Sequence, residues 1–449
     1  MSKKIHFIHA ADLHLGSFLH TSSDLPSGIR EPVREATAVA FSRICDAAVA
    51  CRADFLLLAG DVYDREARSI RAARFLAEKC RELEKENIPV FIIAGNHDPL
   101  REQRELFDLP GNVRVFSPEK AECLEIKDRQ GKPAARVLGQ SYRGRFESRR
   151  MHDSFTVPDK GLCNIALLHT QLEPGDKNYL PCSLAELTAR DDIHYWALGH
   201  IHRCRLLHHG QPAVAYPGIP QGRDFGEEGP GGCLLVEKAP EDPPVISYIP
   251  VSPVIWQRVE VSIANPPVKN LTELENRLLA TAGEITKSLP ALPEGLQPAA
   301  GAPAFKPTGY ILQWVITGRG ELHDLLAEQE EEAATTLTEI LRRRLEGSEP
   351  FLWTDSVVIR TARPLPGMEE LLAKNPVFRE LEMVSARFRN DPTCRRELAE
   401  SLGRVWESSP DHENRPEDRF FLHEEMLNTV IDRARELILE NLAAWGENR

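Results

Sequence analysis

The 449-residue sequence has no cysteine pair at CxxC spacing and no long apolar run. Its nine cysteines lie singly along the chain, and we expect reduced, mostly structural thiols. No apolar stretch approaches the roughly 20 residues that a helix needs to span a bilayer, and the stretch before Asp12 is too short for a signal peptide. These absences predict a cytoplasmic protein without a membrane span.

An excess of basic residues is also lacking. The chain has 55 Lys and Arg against 68 Asp and Glu, for a net charge of -13. This balance argues against nonspecific adhesion to nucleic acid over the whole surface, because phosphate binding needs concentrated Lys and Arg. Residues 1–250 contribute only -3 of the net charge and the remainder -10, so the first part of the chain is nearly neutral.

The first 250 residues alternate short aliphatic runs with helical patterns, which is typical of α/β architecture. Helices at 35–51 and 69–85 are predicted from apolar residues at helical spacing. They connect the early members of a set of five predicted strands. These strands are 5–10, 55–59, 90–94, 165–168 and 195–198.

The remainder of the chain predicts further domains. Proline-rich stretches at 238–245 and 289–309 indicate surface excursions or linkers. The pattern around them predicts a small α+β domain, with strands at 257–262, 310–317 and 357–361 and helices at 271–282 and 321–345. From Pro364 onward the chain is predicted to be helical. We expect three segments, 1–252, 253–363 and 364–449.

One stripe of the last predicted helix is apolar, and it has two interpretations. It either packs on its own domain or forms a face that binds a partner. Its members are Leu422, Met426, Val430, Leu437 and Trp445.

Polar residues follow each of the five predicted strands, in the segments AADLHLG, AGDVYD, AGNHD, LLHT and LGHIH. In open α/β sheets this edge is where sites form. Asp12 with His14, and His200 with His202, have an i, i+2 spacing that points both side chains to one side of an extended backbone. Glycine precedes the polar residue in three of the motifs and permits a sharp exit from strand to loop.

His, Asp and Asn ligands without Cys favour divalent ions such as Mn, Fe, Zn or Mg. The candidates are too many for one four-coordinate centre but suit two ions about 3.5 to 4 Å apart, with Asp61 as the natural bridge. Such a pair activates water and clamps a phosphoryl group during in-line displacement, so we expect phosphoester hydrolysis. The seven candidate ligands are Asp12, His14, Asp61, Asn96, His169, His200 and His202.

The ordered set DxH, GDxxD, GNHD, an isolated His and GHxH resembles the calcineurin-like metallophosphoesterase superfamily. The segments HAADLHLGS, GDVYD, YWALGHIHR and YPGIPQGRDFGEEGPGGCLLVE resemble the bacterial DNA repair exonucleases of the SbcD type, most closely their YhaO branch. The resemblance covers roughly the first 250 residues, and the C-terminal part is similar only in general layout.

The resemblance implies an α/β/β/α sandwich of two packed mixed sheets flanked by helices, with a smaller C-terminal α+β cap domain and a helical tail. It also implies that His97 is the general acid that protonates the leaving sugar oxygen and that Asp64 orients it. Asp98 either caps the following turn or touches the site. The implied ligands are Asp12, His14, Asp61 and His202 for one ion, and Asp61, Asn96, His169 and His200 for the other.

Substrate contacts are predicted from basic residues. Residues 101–150 hold 12 basic against 8 acidic side chains, which indicates either a phosphate track or an ordinary solvated loop. Arg223 either lines the cleft or belongs with Gln221 to a stabilised turn. The arginines of the predicted track are Arg143, Arg145, Arg149 and Arg150.

The resemblance implies a DNA repair exonuclease that acts in the 3'-5' direction and uses two manganese ions. Whether it also acts as an endonuclease is left open. The family also implies a homodimer and a coiled-coil ATPase partner of the SbcC or YhaN kind. Two alternatives remain: a phosphodiesterase for cyclic nucleotides or another small phosphoester, and a noncatalytic scaffold that binds DNA ends. A serine/threonine phosphatase is disfavoured, since GDVYDREA lacks the GDxVDRG form.

Overall fold

The computed structural model describes residues 4–64, 69–100, 107–127, 131–172, 178–240, 242–288, 290–364, 376–407 and 424–447. The strands are β1 (Ile5–Ala10), β2 (Phe55–Ala59), β3 (Val90–Ile93), β4 (Val113–Val115), β5 (Glu122–Lys127), β6 (Pro133–Gly139), β7 (Cys163–His169), β8 (Tyr195–Gly199), β9 (Arg205–His208), β10 (Ala213–Tyr216), β11 (Gly232–Lys238), β12 (Val245–Pro250), β13 (Val254–Ser262), β14 (Gly309–Arg319) and β15 (Phe351–Ala362). The helices are α1 (Ser27–Arg34), α2 (Ala36–Ala50), α3 (Ile70–Lys85), α4 (Leu184–Thr188), α5 (Leu271–Ile285), α6 (Leu322–Glu328), α7 (Glu330–Arg344), α8 (Pro376–Asn390), α9 (Pro392–Glu407) and α10 (Glu424–Glu447).

The first sheet has six strands in the order β12-β11-β1-β2-β3-β4. Strands β1 to β4 are parallel, whereas β11 and β12 add an antiparallel edge. The central strands FLLLA and VFII are buried along their whole length, as expected for parallel strands covered on both faces. Helices α2 and α3 are the predicted connections between the early strands.

The second sheet has the order β5-β6-β7-β8-β10-β9. Its four inner strands are parallel, and its two outer strands are antiparallel to their neighbours. Strands β7 and β8, both predicted from the sequence, lie at its centre. Both sheets are therefore mixed, and all five motif-bearing strands lie inside them.

The core lies between the two sheets. Phe7 of β1 stacks on Phe55 of β2 with ring centroids 5.0 Å apart, and it meets Tyr195 of the second sheet edge-on at 5.4 Å. On the outer face of the second sheet, the indole of Trp196 donates to the carbonyl of Leu187 in α4 over 3.0 Å. The expected α/β/β/α sandwich is confirmed, and extra helices follow it in the C-terminal region.

The chain divides into two compact units. A third sheet, β13-β14-β15, follows the sandwich. In place of one predicted helix over 321–345, α6 and α7 are separate, because Gln329 adopts φ -136° and ψ 53° between them. The predicted boundaries at 252 and 363 stay a prediction. The first unit comprises 1–259, 277–315 and 334–358, and the second comprises 260–276, 316–333 and 359–449.

Helix α8 of the second unit packs against α9 and α10. Among the described side chains of α10, Leu427, Ile431 and Leu439 are buried, whereas Leu437 is 45% exposed. Exposed Leu437 therefore contradicts packing of the stripe on its own domain at that residue, and the partner-binding interpretation stays a prediction. Leu422, Met426 and Trp445 lie outside the described side chains. Among the described residues, no helix is long and apolar enough to cross a bilayer.

Candidate metal centre

The two sheets bring the carboxyl ends of five strands together at one edge. The imidazole of His169, at the end of β7, donates through Nδ1–H to the carbonyl of Ala59, at the end of β2, over 2.9 Å. This bond joins the two sheets at the centre of the site. The predicted ligands follow from these strand ends: Asp12 and His14 after β1, Asp61 after β2, Asn96 after β3, His169 in β7, and His200 and His202 after β8.

One group of donor atoms consists of Asp12, His14 and His202, all within 4.8 Å of one another. The Nε2 atoms of His14 and His202 are 3.3 Å apart, and His202 Nε2 lies 3.9 Å from Asp12 Oδ1. His14 Nδ1 is buried and has no hydrogen-bond partner among the described residues. Imidazole lone pairs and a carboxylate that face one another in this way fit a shared divalent cation.

A second group surrounds His169 Nε2. Asn96 Oδ1 lies 2.9 Å and Asp61 Oδ2 3.2 Å from this nitrogen, and His200 Nδ1 lies 3.0 Å from the same Asn96 oxygen. Nδ1 of His169 donates to Ala59, so in the neutral ring Nε2 carries a lone pair. This lone pair faces two oxygen atoms that also accept, and a proton or a metal ion between them would remove the conflict. This donor set also fits a divalent cation.

Burial and charge shift the ionisation of the group. Burial raises the pKa of Asp12 to about 6. Burial alone would lower the pKa of His169, but the nearby Asp61 carboxylate outweighs burial and raises this pKa to about 9. Burial alone would raise the pKa of Asp61, but His169 outweighs it and holds this pKa well below its usual range. Burial, with the charge of His169, lowers the pKa of His200 to about 3. The Asp61 carboxylate thus stabilises positive charge beside it.

Four predicted ligands have left-handed backbone conformations. The φ angles are 53° at Asp12, 43° at His14, 50° at Asp61 and 98° at His200. Non-glycine residues rarely adopt this region, and such strain clusters at functional sites. Glycines were expected to permit the turns out of the strands. Gly60 does so with φ 96°, but the ligands themselves turn as well.

Glycine is needed at two strand ends because of close packing. A Cβ on Gly199 would lie 1.9 Å from the carbonyl oxygen of Ala59, and one on Gly95 would lie 2.3 Å from Asp61 Oδ1. Both contacts are far shorter than any real Cβ contact. A side chain at either position would displace the donor atoms.

His97 and Asp64 lie beside the first donor group. His97 Nδ1 is 3.5 Å from Asp64 Oδ1, and the hydroxyl of Ser17 donates to Asp64 Oδ2 over 3.1 Å. Burial disfavours the charged form of His97, but hydrogen bonding to Asp64 and nearby carboxylate charge outweigh this and raise its pKa. The His97 side chain is 39% exposed and its ring lies 5.0 Å from that of His14, so it faces both solvent and the donor group.

Asp98 was predicted to cap the following turn or to touch the site, and the structure gives its carboxylate partners in two loops. Its Oδ1 accepts from the backbone N–H of Gly95 at 2.7 Å, and its Oδ2 accepts from Val62 at 2.8 Å and Tyr63 at 3.3 Å. The carboxylate therefore ties the GNHD loop to the GDVYD loop. The signal in the sequence was only its position beside two predicted site residues.

The predicted arginines lie in different surroundings. Arg143 donates to the Glu119 carboxylate over 2.9 Å, and the guanidinium of Arg145 lies 5.5 Å from the ring centroid of Phe146. Arg149 pairs with Glu147, and Arg150 pairs with Asp153 and Glu186. Arg223 is 17% exposed in its side chain and lies beside Asp64 and Glu227. The structure thus brings Arg223 to the site.

Known proteins resemble this chain over its first part. Residues 5–204 match the calcineurin-like phosphoesterase family. The uncharacterized metallophosphoesterase YhaO of Bacillus subtilis is 34% identical over 288 residues, which cover 63% of this chain and 68% of that protein.

Two further relatives are more distant. The DNA double-strand break repair protein Mre11 of Archaeoglobus fulgidus is 28% identical, over 49% of this chain and 51% of its own length. The SbcD component of the nuclease SbcCD of Bacillus subtilis is 23% identical, over 58% of this chain and 71% of its own length. The chain thus spans about half the length of the archaeal relative.

The chain belongs to the calcineurin-like metallophosphoesterase family, as the motifs predicted. Within that family it is most usefully compared with YhaO, and with Mre11 and SbcD proteins at lower identity. Members hydrolyse phosphoester bonds with divalent metal ions, and the donor groups described above fit that chemistry.

Proposed function

We propose that this chain is a metal-dependent DNA nuclease that hydrolyses phosphodiester bonds. The observation that supports it best is the pair of donor groups at the joint edge of the two sheets, in a chain related to a nuclease component and to a DNA repair protein. The family chemistry alone would suit many phosphoesters. The relatives' names favour DNA.

We assign the ligands as two sets that share Asp61. The short distances between donor atoms in each group and the burial of five of the seven side chains support this assignment. When bound, two such ions lower the pKa of a water molecule and stabilise the charge that develops on the phosphoryl group. One set is Asp12, His14, Asp61 and His202, and the other is Asp61, Asn96, His169 and His200.

His97 protonates the leaving sugar oxygen in this proposal. Its Nδ1 faces Asp64, which leaves Nε2 as the atom that can reach a substrate oxygen. Asp64 positions the ring, and Ser17 holds Asp64. Arg143 and Arg145 are proposed to contact the DNA backbone.

The finer features follow the resemblance: manganese as the metal, 3'-5' exonuclease activity, a homodimer, and a coiled-coil ATPase partner. One relative is by name one component of a larger nuclease, which supports an assembly. The mass of the purified chain in solution tests the dimer, for which twice the mass of one chain is expected. A mass equal to one chain would refute it.

The test of the nuclease uses purified chain, Mn²⁺ and linear duplex DNA labelled at either the 3' or the 5' end. We expect mononucleotide release from the 3' label that is abolished by EDTA and in His97→Ala, while His209→Ala, a change at an exposed histidine, keeps full activity. Unchanged degradation by His97→Ala with metals bound would refute the assigned acid. Hydrolysis of bis(p-nitrophenyl) phosphate without release from either label would favour a small phosphodiester substrate instead.

A further inference from the structure

Glu227 lies directly behind His202, on the side away from the other donor atoms. Its Oε1 is 2.6 Å from His202 Nδ1, and its side chain is only 11% exposed. The residue belongs to the segment QGRDFGEE, in which Arg223 was a predicted site residue but the two glutamates were not.

This contact fixes the tautomer of His202. Both oxygens of Glu227 accept from N–H donors of Arg223, so the carboxylate acts as an acceptor here, and Nδ1 of His202 carries the proton and donates it to Glu227. The lone pair of Nε2 then faces His14 Nε2 at 3.3 Å and Asp12 Oδ1 at 3.9 Å. The ring is therefore held in the form that can bind a metal ion through Nε2.

Arg223 holds Glu227 in place. Its backbone N–H donates to Glu227 Oε2 over 2.7 Å, and its Nη2 donates to Oε1 over 2.9 Å. The guanidinium also reaches Asp64 Oδ2 at 3.5 Å, and Asp64 faces His97. One series of polar contacts thus runs from His202 through Glu227, Arg223 and Asp64 to His97.

The backbone N–H of Glu227 donates to the carbonyl of Asp224 over 3.1 Å. The turn that presents Glu227 is anchored at Arg223, whose carbonyl accepts from the backbone N–H of His20 over 2.8 Å. The position of the carboxylate is thus defined by contacts of both its side chain and its backbone.

We propose that Glu227 is a positioning residue that orients His202 as a metal ligand. A carboxylate behind a ligating imidazole fixes the ring and raises its basicity, and its loss typically costs about 10- to 100-fold in metal affinity. The proposal rests on the metal site of the proposed function. The competing interpretation, that Glu227 only neutralises Arg223 and stabilises a turn, predicts a loss of stability without a loss of metal affinity.

The neighbouring Glu228 offers a matched control. Its carboxylate accepts from the backbone N–H of Arg258 over 3.1 Å and pairs with that guanidinium. Glu227→Gln keeps an acceptor for His202 but loses the charge, whereas Glu227→Ala loses both. Glu228→Gln removes the same charge one residue away.

The experiment measures Mn²⁺ binding to the full chain by calorimetry, with thermal unfolding in EDTA as the folding control. We expect affinity at one of two sites to fall about 10- to 100-fold in Glu227→Ala and by less in Glu227→Gln, with Glu228→Gln within about twofold of the wild type. Metal affinity should therefore rise from Glu227→Ala through Glu227→Gln to the wild type. A role in turn stability alone would change the melting temperatures in EDTA and leave the metal affinities unchanged.

NMR spectroscopy tests the tautomer of His202 directly. In ¹⁵N-histidine NMR of the Zn²⁺-loaded chain, His202 should show a protonated Nδ1 in the wild type and lose its downfield Nδ1–H signal in Glu227→Ala. Two ions bound at wild-type affinity by a folded Glu227→Gln and Glu227→Ala would overturn the role of Glu227, whatever substrate the enzyme takes. Failure of the wild type to bind any divalent ion would instead refute the proposed function.

Discussion

Substitution of Gly199 by alanine should disrupt the junction between the two sheets. The added Cβ would lie 1.9 Å from the carbonyl oxygen of Ala59 and 2.9 Å from His169 Nδ1. These two atoms are themselves joined by the 2.9 Å hydrogen bond that links β7 to β2. The methyl group would therefore be forced into a place already occupied by a hydrogen bond, and neither partner is the free end of a flexible side chain.

The expected cost combines two effects. Overpacking of a tight interior costs about 1–3 kcal/mol, and loss of one buried hydrogen bond adds about 1 kcal/mol. We therefore expect Gly199→Ala to lose about 2–4 kcal/mol of unfolding free energy. Metal affinity should also fall at least about 10-fold, because the bond to Ala59 fixes the orientation of the His169 ring.

Urea unfolding followed by tryptophan fluorescence, together with Mn²⁺ calorimetry, checks both effects. The matched control is Gly283→Ala in helix α5, where a Cβ meets nothing within 4 Å. This control should gain about 0.5–1 kcal/mol, because alanine is the better helix former. A Gly199→Ala chain with the stability and metal affinity of the wild type would refute the packing argument.

Three further results are expected. Asp61→Asn should lower kcat for a small phosphodiester by about two to three orders of magnitude, since the charge shared by both donor groups is lost; near-normal turnover would contradict the shared role. Burial lowers the pKa of His9 to about 3 in the folded chain. On acidification the unfolded chain therefore takes up a proton at a higher pH than the folded chain does, and stability falls as the pH drops from about 6.5 toward 3. Unfolding free energy should drop by about 1.4 kcal/mol between pH 8 and 5.5, and this part should vanish in His9→Gln. Arg145→Gln should weaken DNA binding equally across sequences and reduce its salt dependence, and unaltered binding would exclude a phosphate contact.

The strands and the ligand set were predictable because their signals are local. Short aliphatic runs that end in Asp, Asn or His mark both a strand and its polar exit, and the structure has a strand at each of the five predicted places. The expectation of extended backbone at Asp12, His14 and His200 was wrong, because their φ angles are 53°, 43° and 98°. The roles of these residues as ligands stay predictions.

Contacts between distant segments were not predictable. Asp98 binds Val62 from 36 positions away, and Glu227 binds His202 from 25. No periodicity encodes such pairs, since they depend on how neighbouring strands align. Which apolar side chains of α10 are buried was likewise not predictable, since Leu437 of the predicted stripe is exposed.

The left-handed ligands illustrate how the fold builds the site. Beyond the end of β1, Asp12 N–H donates to the carbonyl of Gly60, and His14 N–H donates to that of Asp61, over 3.0 and 3.1 Å. The parallel pairing of β1 and β2 is thus continued into the two loops. A non-glycine residue in this conformation costs about 1–3 kcal/mol, and these backbone bonds together with the buried core of the sandwich offset it. The donor atoms are therefore positioned by backbone that the sheets hold, which explains why the Nε2 atoms of His14 and His202 lie only 3.3 Å apart.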